Sequence, residues 1–257
     1  MVSSQTIIAI PARLESSRLP GKVLADINGK SMIERVIESC LKAKFPQRVV
    51  LCTDNKKISE EGKKLNIEIF FTRKDCSSGS ERISSVLHEI ISQKNLRNSL
   101  IINVQGDQPF LDSKIIDLMC TEFHKRNPKP DVLTPIYKLP PHKIHDPNVV
   151  KTLVGNDNQA LYFSRLALPY VRGVNKEEWH KYYSYWGHVG IYGYRGDVLA
   201  RWSDLKKSKL SELESLEQLK IIEAGYKIHT FEVDGESLSV DTYKHLEEAR
   251  LIAKMKS

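Results

Sequence analysis

The chain lacks paired cysteines, the common glycine-rich phosphate loops and any long apolar run. Its four cysteines, Cys40, Cys52, Cys76 and Cys120, form no CxxC pair, so reduced core thiols are expected. No stretch nears the ~18 consecutive apolar residues of a membrane-spanning helix, so no membrane insertion is expected. The opening MVSSQTIIAIPAR has neither the basic start nor the apolar core of a signal peptide, and a cytoplasmic protein is expected. GxxxxGK[ST] is absent, and GxGxxG does not follow the first apolar run. That excludes a Walker loop and a dinucleotide fingerprint. GxSxG is also missing, which removes the hydrolase nucleophile elbow. His142 and His145 form a lone HxxH in a proline-rich loop, and no zinc site is expected there.

What is present suits a folded enzyme-sized domain. The 257 residues are 40% hydrophobic and 28% charged, which predicts a soluble globular chain with ample core. The formal net charge is +7. The lysines are scattered, without a basic run or a basic-aromatic stripe, so nucleic acid is not the expected partner. Small anions such as nucleotides draw on the same surplus of positive charge.

Four short apolar runs, TIIAI, RVVLCTD (48–54), IEIFFTR (67–73) and SLIINVQGD (99–107), have the length of strands buried on both faces. Helical patterns separate them. SMIERVIESCLKA opens with a capping box from Ser31 to Glu34, and SGSERISSVLHEIISQ with one from Ser78 to Glu81. Strands alternating with helices predict a three-layer α/β sandwich around a mostly parallel, Rossmann-like sheet. The alternation fails between about Asp131 and Ser208, where extended, aromatic-rich segments follow one another. The chain is therefore read as one domain over 1–257. It carries an antiparallel excursion at about 135–208, suited to a dimerising arm. LSELESLEQLKIIEAG then resumes a helical period with a third box, Ser211 to Glu214, before a last strand, KIHTFEV, and a last helix, DTYKHLEEARLIAKM.

IPARLESSRLPGK, at 10–22, follows the first strand. In parallel α/β sheets ligands sit beyond the carboxyl ends of the strands. Arg13, Arg18 and Lys22 in such a loop suit a polyphosphate, because charge-assisted hydrogen bonds to phosphate are strong. The competing reading is a solvated surface loop. Asp107, in VQGDQP, ends the fourth strand, where a carboxylate suits Mg²⁺ or an Asx turn. Asp241, in VDTYKHLEEA, offers a second metal carboxylate or a simple helix cap. Asp54 after the second strand reads as a cap. SSGSER, after the third, places small residues where a flat base can approach the backbone.

Taken in order, IPARLESSRLPGKVLADINGKSMIERV, CTDNKKI, SGSERI, IINVQGDQP, ALYFSRLALPY, HVGIYGYR, LESLEQLK and SVDTYKHLEEA resemble the 3-deoxy-manno-octulosonate cytidylyltransferase (CMP-Kdo synthetase) family nearly end to end. The resemblance implies activation of the sugar acid Kdo with CTP for lipopolysaccharide biosynthesis, with release of pyrophosphate. It implies that Arg13, Arg18 and Lys22 grip the triphosphate, and that Arg73, Ser78, Gly79 and Ser80 help to recognise cytosine. It implies Mg²⁺ held by Asp107 and Asp241, with Arg13, Lys22, Asp107 and Asp241 as the catalytic set. Gln105, Arg165, His188, Tyr192, Glu217 and Gln218 are the implied sugar-facing set, with Arg165 toward the sugar carboxylate. A homodimer is implied as well.

The chain departs from the family pattern at Gln108, where Glu is usual, and at Gly187, where Arg is usual. A variant substrate such as an 8-amino-3,8-dideoxy form of Kdo is therefore the alternative. A nucleotide-sugar glycosyltransferase is a rival from another class, but it usually needs a DxD pair, and QGDQP has one aspartate.

Overall fold

The computed structural model describes residues 5–16, 18–235 and 238–255. Among them the strands are β1 (Thr6–Ala12), β2 (Asp26–Ile27), β3 (Lys30–Ser31), β4 (Arg48–Thr53), β5 (Glu68–Phe71), β6 (Leu100–Asn103), β7 (Val132–Lys138), β8 (Lys151–Val154), β9 (Ala160–Ser164), β10 (Trp186–His188), β11 (Tyr192–Arg195) and β12 (Ile228–Glu232). The helices are α1 (Met32–Leu41), α2 (Lys56–Lys64), α3 (Gly79–Ser85), α4 (Leu87–Ile90), α5 (Ser113–Lys125), α6 (Gly196–Ala200), α7 (Lys209–Glu214), α8 (Gln218–Glu223) and α9 (Tyr243–Met255). The chain divides into two compact units, one of residues 1–125, 193–203 and 237–257, the other of 126–192 and 204–236.

In the first unit the strands run β5-β4-β1-β6-β11. β5, β4, β1 and β6 are all parallel. β1 is buried at every residue, as a strand covered on both faces must be. The order explains the site. From β1 the chain crosses to β4 on one side, while β6 lies on the other, so the loops after β1 and β6 part at a switch point. A crevice opens at such a point beyond the carboxyl ends of the strands.

Local chemistry sets the helix starts. The Ser31 hydroxyl accepts from the Glu34 amide, 3.2 Å away, at the head of α1, and Met32, Ile33, Val36, Ile37 and Cys40 turn one apolar stripe to the core. The Ser78 hydroxyl accepts from the Glu81 amide in the same way at α3. The pattern read as one long helix after Ser78 breaks at Val86 into α3 and α4.

In the second unit β7 pairs with β12 in parallel and with β10 antiparallel, and β8 pairs antiparallel with β10 and β9. The antiparallel strands expected from the sequence are β7, β10, β8 and β9, and the unit begins earlier than residue 135. It also includes 204–236, whose strand β12 lies parallel to β7. The helix expected over LSELESLEQLKIIEAG is two short ones. Ser215, at φ 53°, adopts the left-handed region and separates α7 from α8. The Ser211–Glu214 box does not form. Ser208 caps α7 by accepting from the Ser211 amide at 2.9 Å, and Glu214 turns to Ser164 and Arg165. Gly187 faces Tyr137 across β10 and β7. A Cβ there would meet the Tyr137 ring at 2.5 Å, so this ring takes the space of a side chain.

Candidate active site

The loop after β1 is built to present Lys22. Gly21, at φ 67°, takes a left-handed turn that suits glycine, and its amide donates to the Leu14 carbonyl at 3.2 Å. Leu19 is buried in a small core with Ile27, Met32, Val240, Leu246 and Ala249. That core also pins the segment carrying Asp241, and the Val240 amide donates to the Asp107 carbonyl at 2.9 Å. Packing thus gathers three distant stretches of chain at one place.

There the Lys22 ammonium donates to Asp107 Oδ2 at 2.6 Å and to Asp241 Oδ1 at 3.0 Å. Arg18 reaches the same Asp241 oxygen at 3.0 Å with a largely exposed side chain. Burial alone would lower the Lys22 pKa, but the two carboxylates outweigh it, and the group sits above its ordinary value. Burial alone would raise Asp241. Lys22 foremost, then Arg18 and His245, reverse this and hold the carboxyl below its usual range.

Arg13, Arg18, Lys22, Ser78, Gly79, Gln105, Asp107 and Asp241 line one cleft. Two residues expected with them are elsewhere. Ser80 is fully buried, its hydroxyl against Tyr194 and Asn103. Arg73 lines a separate groove beside Phe71 and Trp202, with Asp75 as its nearest acid at 3.3 Å. The cleft also includes Glu15 and Ser16, for which the sequence suggested no role, and Cys76 and Arg82, read from the sequence as a core thiol and a structural guanidinium. Glu15 and Ser16 were legible by position, inside the cationic loop. Arg82 is 2% exposed; it donates to Asp54 at 3.0 Å, to the Arg73 carbonyl and to Thr72. It ties the ends of β4 and β5 to α3.

A cleft of cations and three acids at the switch point of a parallel sheet suits a nucleoside triphosphate, and comparison with known proteins decides the class. Residues 7–228 match the cytidylyltransferase family model. The chain belongs to the cytidylyltransferase family. It is a nucleotidyltransferase with that family's α/β fold. It is 36% identical to a 3-deoxy-manno-octulosonate cytidylyltransferase of Chlorobium phaeobacteroides over 96% of each chain. It is also 36% identical to that of Escherichia coli, over 97% of this chain and 96% of the relative. A solved CMP:2-keto-3-deoxy-manno-octonic acid synthetase complexed with CTP superposes at a TM-score of 0.88, with 34% identity over 98% of this chain and 100% of that one.

In this cytidylyltransferase the remaining predicted residues lie in the second unit. The His188 ring packs edge-on to Phe163 and tilted on Tyr192, with centroids 5.2 Å apart in both pairs. Burial pushes its pKa down to about 3, so the imidazole is neutral. Thr134 donates its proton to the Ile191 carbonyl at 2.8 Å, so its oxygen accepts from His188 Nε2 at 3.1 Å. That places the ring proton on Nε2 and leaves Nδ1 as an acceptor. Arg165 donates to the Glu214 and Pro147 carbonyls, at 2.9 and 3.2 Å. Glu217 is the residue before α8, and Gln218 begins it. The Gln218 amide nitrogen is buried, with no hydrogen-bond partner among the described residues. No helix of the described residues is long and apolar enough to cross a membrane.

Proposed function

We propose that this cytidylyltransferase couples CTP to Kdo, giving CMP-Kdo and pyrophosphate for lipopolysaccharide biosynthesis in the cytoplasm. The observation that carries the reading is the Lys22 ammonium shared by Asp107 and Asp241 in a cleft lined by Arg13 and Arg18. The likeness to 3-deoxy-manno-octulosonate cytidylyltransferases, one of them solved with CTP, supports the same substrates.

The anomeric hydroxyl oxygen of the sugar attacks the α-phosphorus in line. The bond from that phosphorus to the bridging oxygen breaks, pyrophosphate leaves, and the hydroxyl proton passes to water. Positioning and charge neutralisation carry such a step. Arg13, Arg18 and Lys22 would grip the triphosphate, while Ser78 and Gly79 would border the cytosine. Arg165, His188, Tyr192, Glu217 and Gln218 are the proposed sugar contacts of the second unit. The donor set fits Mg²⁺: Asp107 and Asp241 already share one cation, and Mg²⁺ takes one or two carboxylates plus phosphate oxygens. When bound, the ion would polarise the α-phosphate and lower the pKa of the attacking hydroxyl. No cluster of three His, Cys, Asp or Glu able to hold a metal forms among the described residues, so phosphate and water would complete the ion's shell.

Leu161, Leu166, Tyr170, Tyr182 and Leu213 stand exposed on the second unit, which supports a homodimer burying them. Light scattering at micromolar concentration tests this, and a monomer mass rejects it.

The deciding experiment incubates the protein with CTP, Mg²⁺ and a panel of sugar acids and follows pyrophosphate. Kdo is the expected best substrate. The Tyr137 ring over Gly187 marks where the second unit is shaped by this chain's own residues, so the 8-amino analogue of Kdo belongs in the panel. Release from ATP or GTP as fast as from CTP rejects the reading.

A further inference from the structure

Behind the cleft runs a chain of buried polar side chains that the proposed chemistry does not use. Gln105 Nε2 donates to Asn103 Oδ1 at 3.1 Å, and Asn103 Nδ2 donates to Ser80 Oγ at 3.1 Å. Ser80 Oγ and Tyr194 Oη lie 2.9 Å apart. Asn103, Ser80 and Tyr194 are fully buried, and Gln105 lines the cleft. We infer that Asn103 and Ser80 are positioning residues that orient the Gln105 amide, so that its Oε1 is offered to the ligand as a hydrogen-bond acceptor. The inference rests on the reading that this cleft takes CTP and Kdo.

An amide has a donor end and an acceptor end. Asn103 spends its carbonyl on Gln105 and its amino group on Ser80. With Nε2 of Gln105 committed to Asn103, Oε1 is the end left for the ligand. Shape adds a second constraint. A Cβ on Gly79 would stand 3.1 Å from both Nε2 and Oε1, so the amide packs against Gly79 where a larger residue would crowd it. Gln105 has three rotatable side-chain bonds, and this close packing and the hydrogen bond together restrict them. The ligand group that meets Oε1 must carry a hydrogen. A sugar hydroxyl does, and an ether or keto oxygen at that point would be rejected.

Two readouts test this. The first needs no substrate: the Gln105 side-chain amide resonances, assigned by their loss in Gln105→Leu. Slow exchange is expected in the wild-type protein and fast exchange in Asn103→Leu. The second is a double-mutant cycle on KM for Kdo. Losing an oriented hydrogen bond typically costs about tenfold, so Asn103→Leu should raise KM for Kdo by about that factor and leave KM for CTP within about twofold. In a Gln105→Leu background it should add nothing. If Asn103→Leu fails to fold, Ser80→Ala serves in the same cycle. Unchanged amide exchange, or effects that add across the cycle in folded protein, overturn the inference. Altered exchange without pyrophosphate release from the wild type leaves the positioning intact and rejects the substrate assignment instead.

Discussion

Lys22 and Asp107 meet at 2.6 Å although 85 positions separate them in the chain, and the same ammonium holds Asp241, 219 positions away. The side chains are only 15%, 20% and 28% exposed. Partial burial makes these charges count for more than a surface ion pair.

Asp107→Asn and Asp241→Asn are each expected to lower turnover roughly a hundredfold or more, the usual cost of losing one strong electrostatic contact to a reacting phosphate. Each variant keeps one carboxylate on Lys22, so the melting temperature should barely move. Steady-state pyrophosphate release beside melting curves makes the comparison. Near-normal turnover by Asp241→Asn would reduce that residue to a structural partner of Lys22.

The same cluster predicts a flat pH response. Asp241 is held below its ordinary value, so its contribution is present above ~3.9 and fades only as pH falls through the lower folded value. Lys22 is held above its ordinary value, so its contribution is present below ~10.4 and fades as pH rises through the higher folded one. Between pH 7 and 9 neither titrates. CTP affinity by calorimetry should change less than about twofold across that window, and a steep loss toward pH 9 would show Lys22 deprotonating there.

Lys151 behaves in the opposite sense. It is 1% exposed, and its ammonium donates to the carbonyls of Asp146, Val149 and Arg165 at 2.6, 2.8 and 2.6 Å. Burial pushes its pKa down to about 8, with Arg165 also lowering it and Asp146 and Glu214 opposing. The unfolded chain keeps the proton to ~10.4, so the folded state gains stability as pH rises from about 8 toward 10. Urea midpoints of the wild type and of Lys151→Met at pH 8 and 10 measure this. The rise should belong to the wild type alone, and parallel shifts in the two proteins contradict it.

Arg82→Met should destabilise the fold by about 3 kcal/mol, because it leaves the Asp54 carboxylate without its partner. Asp54 is 13% exposed on its side chain, so water makes up for little of the loss. Lysine should rescue incompletely, since one ammonium lacks the planar fork that serves Asp54, Thr72 and the Arg73 carbonyl together. Denaturant midpoints of the two variants give the comparison, and equal stability of Arg82→Met and wild type would remove Arg82 from the framework of the site.

Local chemistry was legible in the one-dimensional chain. β1 and β6 appear as short apolar runs because a strand covered on both faces is mostly apolar. β5 shows the same run, yet it ends the strand order with no buried residue, so the pattern alone did not tell an edge from the centre. Ser31 and Ser78 appear as caps because a cap is a bond across three residues. Arg13, Arg18 and Lys22 stood out because they crowd the loop that follows the first strand. Tertiary structure decided the rest. Ser80 lies one residue from Gly79, yet it faces Tyr194 and Asn103 inside the core, since burial depends on what packs above a helix and not on its neighbours in the chain. Glu214 sits where a capping box was expected, and packing gives it to Ser164 and Arg165 instead. Asp241 read equally well as a helix cap or a metal ligand. Only the small core shared by Leu19 and Val240 brings it to Lys22, because a contact across 219 positions is set by packing between elements and leaves no local signal in the chain.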